Sequence, residues 1–381
     1  MILSDEEKML QSTIRKFVED QIKPMARKMD QGEEFSWAIW RGFSNLGLMG
    51  IGVDPELGGT DGTCKQMALV VEEISRGDAA SAVSLLVHRS LALETVAQFG
   101  NARQKAQYIP KAVSGENVMA WALTEPESGS DAGAMTTTAS LRDGIYYLNG
   151  SKIFITNGDI ADAVVVFATI DRSLGHRGIC AFIVDKGAYG FKANKQLGKM
   201  GMRASHTAEL IFDETPVPAE NRLGKEGRGF YYAMNILDSS RIIVAAQSVG
   251  IAQACFEEAV QYSQRRHTFG KSIINHQAIQ FKLADMATDI YASRVMTYNA
   301  ASLKDLGLPY LQEASMAKLF ASEACFRVAS EALQIFGGAG YFQGANIERY
   351  FRDARVTSIY EGTSEIQRMV IARRIIEQYG I

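Results

Sequence analysis

Residues 163–184, AVVVFATIDRSLGHRGICAFIV, hold two apolar runs separated by a polar segment with two glycines. Ala163–Ala168 and Cys180–Val184 are rich in β-branched and aromatic residues and are bounded by Gly and Asp, the composition of strands. Working outward, Tyr146–Leu148 and Ala208–Phe212 read the same way. No helical period separates these runs for about a hundred residues, so an antiparallel β domain fits better than alternating βα units.

On both sides of this region the period is helical. Before Val118, Ser4 and Glu7 fit a capping box, and Leu10, Ile14, Phe17 and Val18 follow at helical spacing. Pro24 is expected to interrupt or kink that helix near its end. A shorter amphipathic segment runs from Ser36 to Leu46, and Gly50–Thr63 (GIGVDPELGGTDGT) is dense enough in turn residues to be a loop. Helices are then expected over Lys65–Gly77, Ala79–Phe99 and Ala102–Ser114. Pro216-Val217-Pro218 and Gly224–Gly229 close the β region. Beyond it, Phe230–Arg265, His276–Leu306, Leu311–Phe336 and Ser364–Gln378 read as long helices with short connections, which implies a bundle. The fold class is therefore α+β: an N-terminal helical domain (1–117), a central antiparallel β domain (118–228) and a C-terminal four-helix bundle (229–381). There is no internal repeat and no low-complexity segment.

Composition narrows the function. The chain has 381 residues, 22% of them charged, and a net charge of −3. This balance gives no reason to expect a nucleic-acid or anionic-membrane partner. Cysteines at 64, 180, 255 and 325 have neither disulfide-framework nor zinc spacing and read as reduced thiols in an intracellular compartment. Histidines at 88, 176, 206, 267 and 276 include no HExxH pair, so no metal is expected. No apolar run is long enough to span a bilayer. The N-terminus opens directly into a capped amphipathic helix, so neither a signal nor a transit peptide is expected, and a processed precursor reads the same.

Five segments carry candidate chemistry. Ala122-Leu123-Thr124-Glu125-Pro126-Glu127-Ser128-Gly129-Ser130-Asp131 offers hydroxyls and backbone N–H groups to a polar ring edge or phosphate, or is a long connection held by Asx and Ser/Thr turns. In Lys152-Ile153-Phe154-Ile155-Thr156-Asn157-Gly158, alternation puts Phe154 and Thr156 on one face, against a flat ligand or simply at a strand end. Arg265-Arg266-His267-Thr268-Phe269-Gly270-Lys271 clusters cations that suit a pyrophosphate or a helix C-terminus. It lacks the upstream glycine of a P-loop, and no GxGxxG occurs anywhere. Gln334-Ile335-Phe336-Gly337-Gly338-Ala339-Gly340-Tyr341 ends a helix on glycines, which fits either close approach to a ligand or a plain helix stop. In Tyr360-Glu361-Gly362-Thr363-Ser364 a carboxylate stands beside a glycine ahead of a new helix. Ser364 and Gln367 fit a capping box, and Ile366, Met369, Val370 and Ile376 an apolar stripe. Glu361 then sits on a tight turn, as a solvated helix-start carboxylate or as a group aimed into a cavity.

Taken together, LTEPESGSDAG (123–133), KIFITNG (152–158), RRHTFGK (265–271), QIFGGAGY (334–341) and IYEGTSEIQ (359–367) resemble the acyl-CoA dehydrogenase family, in that family's order and over essentially the whole chain. The resemblance implies FAD as cofactor, an acyl-CoA substrate, electron-transfer flavoprotein as electron acceptor and a homotetramer arranged as a dimer of dimers. It implies that Leu123, Thr124, Ser130, Phe154, Ile155 and Thr156 line the flavin, with Phe154 where the family often has tryptophan. Arg266, Phe269, Gln277, Gln334, Gly337 and Gly338 are implied to reach the FAD of a neighbouring subunit, and Thr363 and Glu365 to close over the cofactor. Ser130, Asp238, Arg241 and Gly362 resemble the acyl-CoA contacts.

Desaturating a thioester requires a base for the α-proton, an acceptor for the β-hydride and stabilisation of an enolate-like charge. No side chain accepts hydride, so a flavin must. The family places its base either at the YEG glutamate or immediately before the arginine matching Arg241. That second position is Ser240 here, which assigns the chemistry to Glu361. Burial is expected to raise its pKa against the helix dipole. Arg89 is a departure: facing the acyl pocket it pairs with a second carboxylate, and pointing away it is a snorkelling surface arginine, which is the expectation. The arginine of glutaryl-type relatives aligns near Ala82 instead. Straight-chain, branched, cyclic and dicarboxylyl substrates stay open, as do an oxygen-using oxidase and a non-enzymatic flavin-fold binding protein.

Overall fold

The computed structural model describes residues 3–380. Helix α1 (Asp5–Phe17) starts with the expected capping box: the Ser4 hydroxyl accepts from the Glu7 N–H at 3.1 Å, and the Glu7 carboxylate accepts from the Ser4 N–H at 2.8 Å. The interruption expected at Pro24 is a π turn over Val18–Ile22, after which α2 (Lys23–Gly32) carries the proline in its first turn. Proline lacks the N–H that a first turn leaves unpaired, so it starts this segment rather than ending a helix. The N-terminal unit continues with α3 (Trp37–Asn45) and α4 (Cys64–Gly77). A rod follows, made of α5 (Ala79–Leu86), a π segment (Val87–Leu93) and α6 (Glu94–Phe99), and then α7 (Ala102–Val113). Ser36, Thr63, Asp78 and Asn101 cap α3, α4, α5 and α7 by accepting from first-turn N–H groups.

The central unit is an eight-stranded sheet. Its strands are β1 (Met119–Ala122), β2 (Thr138–Arg142), β3 (Ile145–Thr156), β4 (Ala163–Thr169), β5 (Ile179–Asp185), β6 (Phe191–Lys195), β7 (Thr207–Pro218) and β8 (Arg222–Leu223). The order is β6-β7-β3-β2-β4-β5-β8, with β1 on β4. The sheet is antiparallel for the most part, with two corrections. β1 runs parallel to β4, Ala120 opposite Val164, and β2 meets β4 in parallel at Thr138 and Thr169. Asp162 explains the first: its carboxylate accepts from the Val118 N–H at 2.9 Å and its own N–H donates to the Val118 carbonyl at 2.8 Å, fixing the start of β1 beside β4. Strand β1 was not legible as a strand because all four residues of its Met-Ala-Trp-Ala are buried, so no alternation shows. Strand β4 is buried on both faces as well. Val165 and Phe167 face the helical core, whereas Val164 and Val166 face the β core with Tyr146, Leu148 and Phe212.

The C-terminal unit holds α8 (Gly229–Arg265), a minimal hairpin of β9 (His267–Thr268) and β10 (Lys271–Ser272), then α9 (Gln277–Asp305), α10 (Leu311–Phe336), α11 (Ile347–Val356) and α12 (Ser364–Tyr379). Helix α10 packs against α8, α9, α11 and α12, and α4 crosses onto α8, so the two helical units share one core. Buried polar contacts tie them further. Glu72 of α4 accepts from Arg294 (2.9 Å) and Tyr298 (3.0 Å) of α9. Arg349 of α11 reaches Asp78 at 3.0 Å and the Gly77 carbonyl at 3.1 Å.

Candidate active site

Glu361 and Gly362 both have left-handed backbone, with φ of 51° and 94°. That region costs a non-glycine residue about 1–2 kcal/mol, so the turn needs outside support. The support comes from its neighbours. The Gly362 carbonyl accepts from Lys318 Nζ of α10 at 2.7 Å and from Gln367 Nε2 at 2.9 Å. The Tyr360 hydroxyl donates to Gln247 of α8, whose own amide donates to the Ala79 carbonyl at 3.0 Å. The capping box expected from Ser364 and Gln367 is displaced by this arrangement. Thr363 is the N-cap, accepting from the Ile366 N–H at 3.3 Å, and the Gln367 amide is spent on the turn itself.

Glu361 is part-exposed as a residue, yet both its carboxylate oxygens are sealed from solvent and have no hydrogen-bond partner among the described residues. Burial pushes its pKa up to about 7, against the opposing pull of Ser240, Lys318 and Arg241. The Ser240 hydroxyl stands near the carboxylate but donates to the Leu237 carbonyl at 3.1 Å. Arg241 is buried and donates to Asp238 at 2.9 Å, while its Nε lacks a partner among the described residues. Burial raises the pKa of Asp238 and lowers that of Arg241, so each charge of this pair is under strain from desolvation. Asp238, Ser240, Arg241, Lys318, Glu361 and Gly362 thus form one group. Glu365 is exposed at the first turn of α12.

The segments around Thr124 and Phe154 form a second group. The Ile153 N–H donates to the Thr124 carbonyl at 3.0 Å. Beneath them lies a fully buried ion pair, Lys152 to Glu125 at 2.8 Å, with Lys152 also donating to the Leu123 carbonyl at 3.0 Å. Burial works against the Glu125 charge, but Lys152 and the Thr136 and Thr137 donors outweigh it and hold the carboxyl down to about 2. Phe154 has φ 61°, lies at a register shift between β3 and β7, and is 67% exposed. Thr156 is half-buried beside it. Ile155 differs from its expected role: the bulge turns its side chain into the β core with Leu210 and Phe212, leaving only its backbone at the outer face. Leu123 is buried and Ser130 exposed on the same loop. The two groups are joined through α5, since Asn157 Nδ2 donates to the Ser84 carbonyl at 3.0 Å and Gln247 holds Ala79 one turn away.

A third group lies at the far end of the bundle. Phe269 and Gly270, both with positive φ (49° and 76°), turn the β9–β10 hairpin and leave Phe269 95% exposed. Arg266, Gln277, Gln334, Gly337 and Gly338 are exposed as well, and the stacked rings of Tyr262 and Phe336, 4.1 Å apart, bring the ends of α8 and α10 together there. Along α8 this end is 25 residues from Ser240, roughly 38 Å at about 1.5 Å per residue. One copy therefore keeps this group away from its own Glu361. The residues fit a flat, phosphorylated cofactor: an outward-facing aromatic ring with a hydroxyl beside it, an exposed arginine with no ion pair among the described residues, and Gly129, Gly337 and Gly338 with open space where a side chain would stand.

Arg89 is not the snorkelling surface arginine expected. It is buried, its Nε donates to the Ile51 carbonyl at 2.7 Å, and its Nη1 pairs with Glu94 at 2.6 Å. It lines a cavity of about 290 Å³ with Ser90, Glu94, Ser239, Ile243 and Lys304. Its charge is already met by Glu94, which leaves it a poor receptor for a second substrate carboxylate. Lys318, Gln247 and the Lys152–Glu125 pair went unread in the sequence. The signal for Lys318 was there: with Ala314, Ala321 and Cys325 it occupies the buried stripe of α10, where a lysine needs a reason.

Among the described residues no helix is long and apolar enough to cross a membrane, and no group of three or more His, Cys, Asp or Glu is arranged to hold a metal. The family descriptions acyl-CoA dehydrogenase N-terminal domain, middle domain and C-terminal domain match residues 4–116, 120–215 and 227–376. An acyl-CoA dehydrogenase of Bacillus subtilis (strain 168) is 47% identical over 99% of this chain and 99% of its own length. The butyryl-CoA dehydrogenase of Megasphaera elsdenii superposes with a TM-score of 0.97, at 41% identity and 99% coverage of both chains. A chain solved in work on the electron-transferring flavoprotein of Acidaminococcus fermentans and flavin-based electron bifurcation gives the same TM-score, 0.97, at 44% identity, again over 99% of both chains. With its three units and the sealed carboxylate of the YEG turn, this chain belongs to the acyl-CoA dehydrogenase family.

Proposed function

We propose that Glu361 is the base that removes the α-proton in the FAD-dependent conversion of a short-chain acyl-CoA to its 2-enoyl-CoA. The observation that carries this reading is a carboxylate closed to water, free of hydrogen bonds and poised near neutrality on a rigid turn. A base in that state takes a carbon-bound proton without first giving up a partner. Positioning matters as much, since misplacement by about 1 Å costs on the order of a hundredfold in rate. The Glu361 N–H makes no hydrogen bond among the described residues, which suits it to the thioester oxygen as charge builds there. Bound FAD supplies the acceptor for the β-hydride. Leu123, Thr124, Phe154, Thr156 and the Ile155 backbone line the flavin, and Thr363 and Glu365 close over it. Ser130, Asp238, Arg241 and Gly362 receive the acyl-CoA. The short-chain preference rests on the similarity to a butyryl-CoA dehydrogenase, and the boundaries 117/118 and 228/229 separate the three units.

The active unit is a homotetramer built as a dimer of dimers, in which Arg266, Phe269, Gln277, Gln334, Gly337 and Gly338 serve the FAD of a neighbouring copy. Their distance from Glu361 within one copy supports this arrangement. Electrons leave to electron-transfer flavoprotein. The free thiols of Cys64, Cys180, Cys255 and Cys325 suit a reducing compartment, the cytoplasm or a mitochondrial matrix. Anaerobic titration of the yellow holoenzyme with butyryl-, octanoyl-, isobutyryl- and glutaryl-CoA tests the reading. Butyryl-CoA is expected to bleach the flavin fully and glutaryl-CoA weakly, because Glu94 occupies Arg89. Bound flavin that no acyl-CoA bleaches counts against the dehydrogenase reading.

A further inference from the structure

Lys318 is completely buried in the middle of the bundle, and its ammonium makes one hydrogen bond among the described residues, to a neutral carbonyl. Buried lysines ordinarily face a carboxylate that accepts from them. Here no carboxylate does. The charged groups that face Lys318 are Glu361 and Glu365 from the turn and the start of α12, and Arg241 from α8. Of the two carboxylates Glu365 is exposed, so the sealed one is Glu361, whose oxygens accept from nothing. The groups facing Glu361 in turn are Lys318, Arg241 and the Ser240 hydroxyl, with the phenol of Tyr360 adjoining. The ammonium therefore acts on the carboxylate through space while its proton goes to the next peptide along, the carbonyl of Gly362.

This division of labour has a chemical use. A hydrogen bond from Lys318 to Glu361 would occupy the lone pair that must take the substrate proton. No cation at all would leave a buried carboxylate protonated at neutral pH, where it is useless as a base. A cation held one peptide away avoids both. We propose that Lys318 is the positioning residue of the base: its ammonium clamps the Gly362 carbonyl in the left-handed turn and provides the counter-charge that lets the sealed Glu361 carboxylate ionise. Burial lowers the lysine's own pKa to about 8, so it still carries its charge over the range in which Glu361 titrates. The inference rests on the reading of Glu361 as base.

The test compares wild-type, Lys318→Met, Lys318→Gln, Lys318→Arg and Glu361→Gln holoenzymes by anaerobic stopped-flow bleaching with butyryl-CoA across pH 6 to about 9.5. Lys318→Met, which lacks both donor and charge, is expected to move the apparent pKa of bleaching up by about one unit and, through ionisation alone, to lower the rate at pH 7 about fivefold, with recovery at alkaline pH. Lys318→Gln keeps a donor without the charge and is expected to shift the pKa as Met does while holding a higher plateau rate. Lys318→Arg is expected to return the pKa to within about half a unit of wild type. An unchanged pH profile in the Met and Gln variants, or a loss equal at every pH, overturns the inference. Should the Met variant fail to fold, the Gln and Arg variants decide alone. Glu361→Gln separates the two readings: if it bleaches normally the base assignment fails, and if it is inert while the lysine variants titrate like wild type, only the role of Lys318 fails.

Discussion

At Glu361, the proposed base, two demands oppose one another, since a general base must be charged to work yet dry enough to act on a carbon-bound proton. The structure sets the balance by sealing both oxygens and placing Lys318 and Arg241 near but not upon them. The consequence for pH has a definite sign. Glu361 ionises as pH rises through about 7, so the bleaching rate of the free enzyme with butyryl-CoA is expected to climb across that range and level off above it. Stability runs the other way. A carboxyl whose folded pKa is raised loses stability as pH climbs from its unfolded value near 4.5 to about 7, by up to roughly 3 kcal/mol. Glu361→Gln is therefore expected to melt above wild type at pH 8 and level with it near pH 5, as thermal scans at the two values will measure. Equal melting at pH 8 contradicts a desolvated carboxylate. The residue's place on a turn ahead of a helix was legible from Gly362 and the polar start of α12. Its left-handed backbone and its lack of partners were not, because both arise from contacts with Lys318 and Gln247, distant in sequence.

At the scale of elements, the Leu123–Asp131 loop and strand β3 act as one piece because Lys152 and Glu125 pair beneath them. The motif strings Leu-Thr-Glu-Pro and Lys-Ile-Phe-Ile-Thr present Thr124, Phe154 and Thr156 outward, while their charged members turn inward to hold the two segments together. Breaking a buried pair by removing one partner costs about 3–5 kcal/mol, because the other charge is left bare. Lys152→Met is expected to lose that much in urea unfolding and to release FAD more readily than wild type, read as the flavin-to-protein absorbance ratio after gel filtration. The Lys152→Met, Glu125→Gln double variant is expected to regain much of the loss. Glu125, held down to about 2, stabilises the fold above its unfolded pKa, and that contribution fades as pH falls toward 2. The long helices were legible nearly to the residue, Leu311–Phe336 among them, because a period of 3.6 over many residues leaves little choice. Short strands such as Phe191–Lys195 and Arg222–Leu223 escaped because their pairing partners, not their own composition, make them strands.

For the whole molecule, one copy leaves much apolar surface without a cover. Phe281 and Tyr291 on α9 are 59% and 64% exposed and lie with Val295 along one side of the helix. Met369, Ile376 and Tyr379 are exposed on α12, while Ile366 and Val370 of the stripe expected from its sequence are half-buried. Patches of this kind mark interaction surfaces in soluble proteins. Together with the roughly 38 Å of α8 between Ser240 and Arg265, they support the proposed tetramer, in which cofactor sites are completed by other copies. The double variant Phe281→Asp, Tyr291→Asp is expected to sediment as smaller species and to lose FAD in the same preparation. Monomers that keep FAD and full activity contradict the shared site. Domain order was legible from the switch between periods 3.6 and 2. Which exposed residues belong together was not, since in the proposed tetramer that depends on copies of the chain meeting in space.

The most direct test of the account is anaerobic stopped-flow mixing of butyryl-CoA with FAD-loaded wild-type and Glu361→Gln enzyme at pH 8. The prediction is rapid bleaching of the wild-type flavin and a rate lowered at least about a thousandfold in the variant, with FAD still bound and butyryl-CoA binding retained. Bleaching of the variant at the wild-type rate would contradict the assignment of Glu361 as the base.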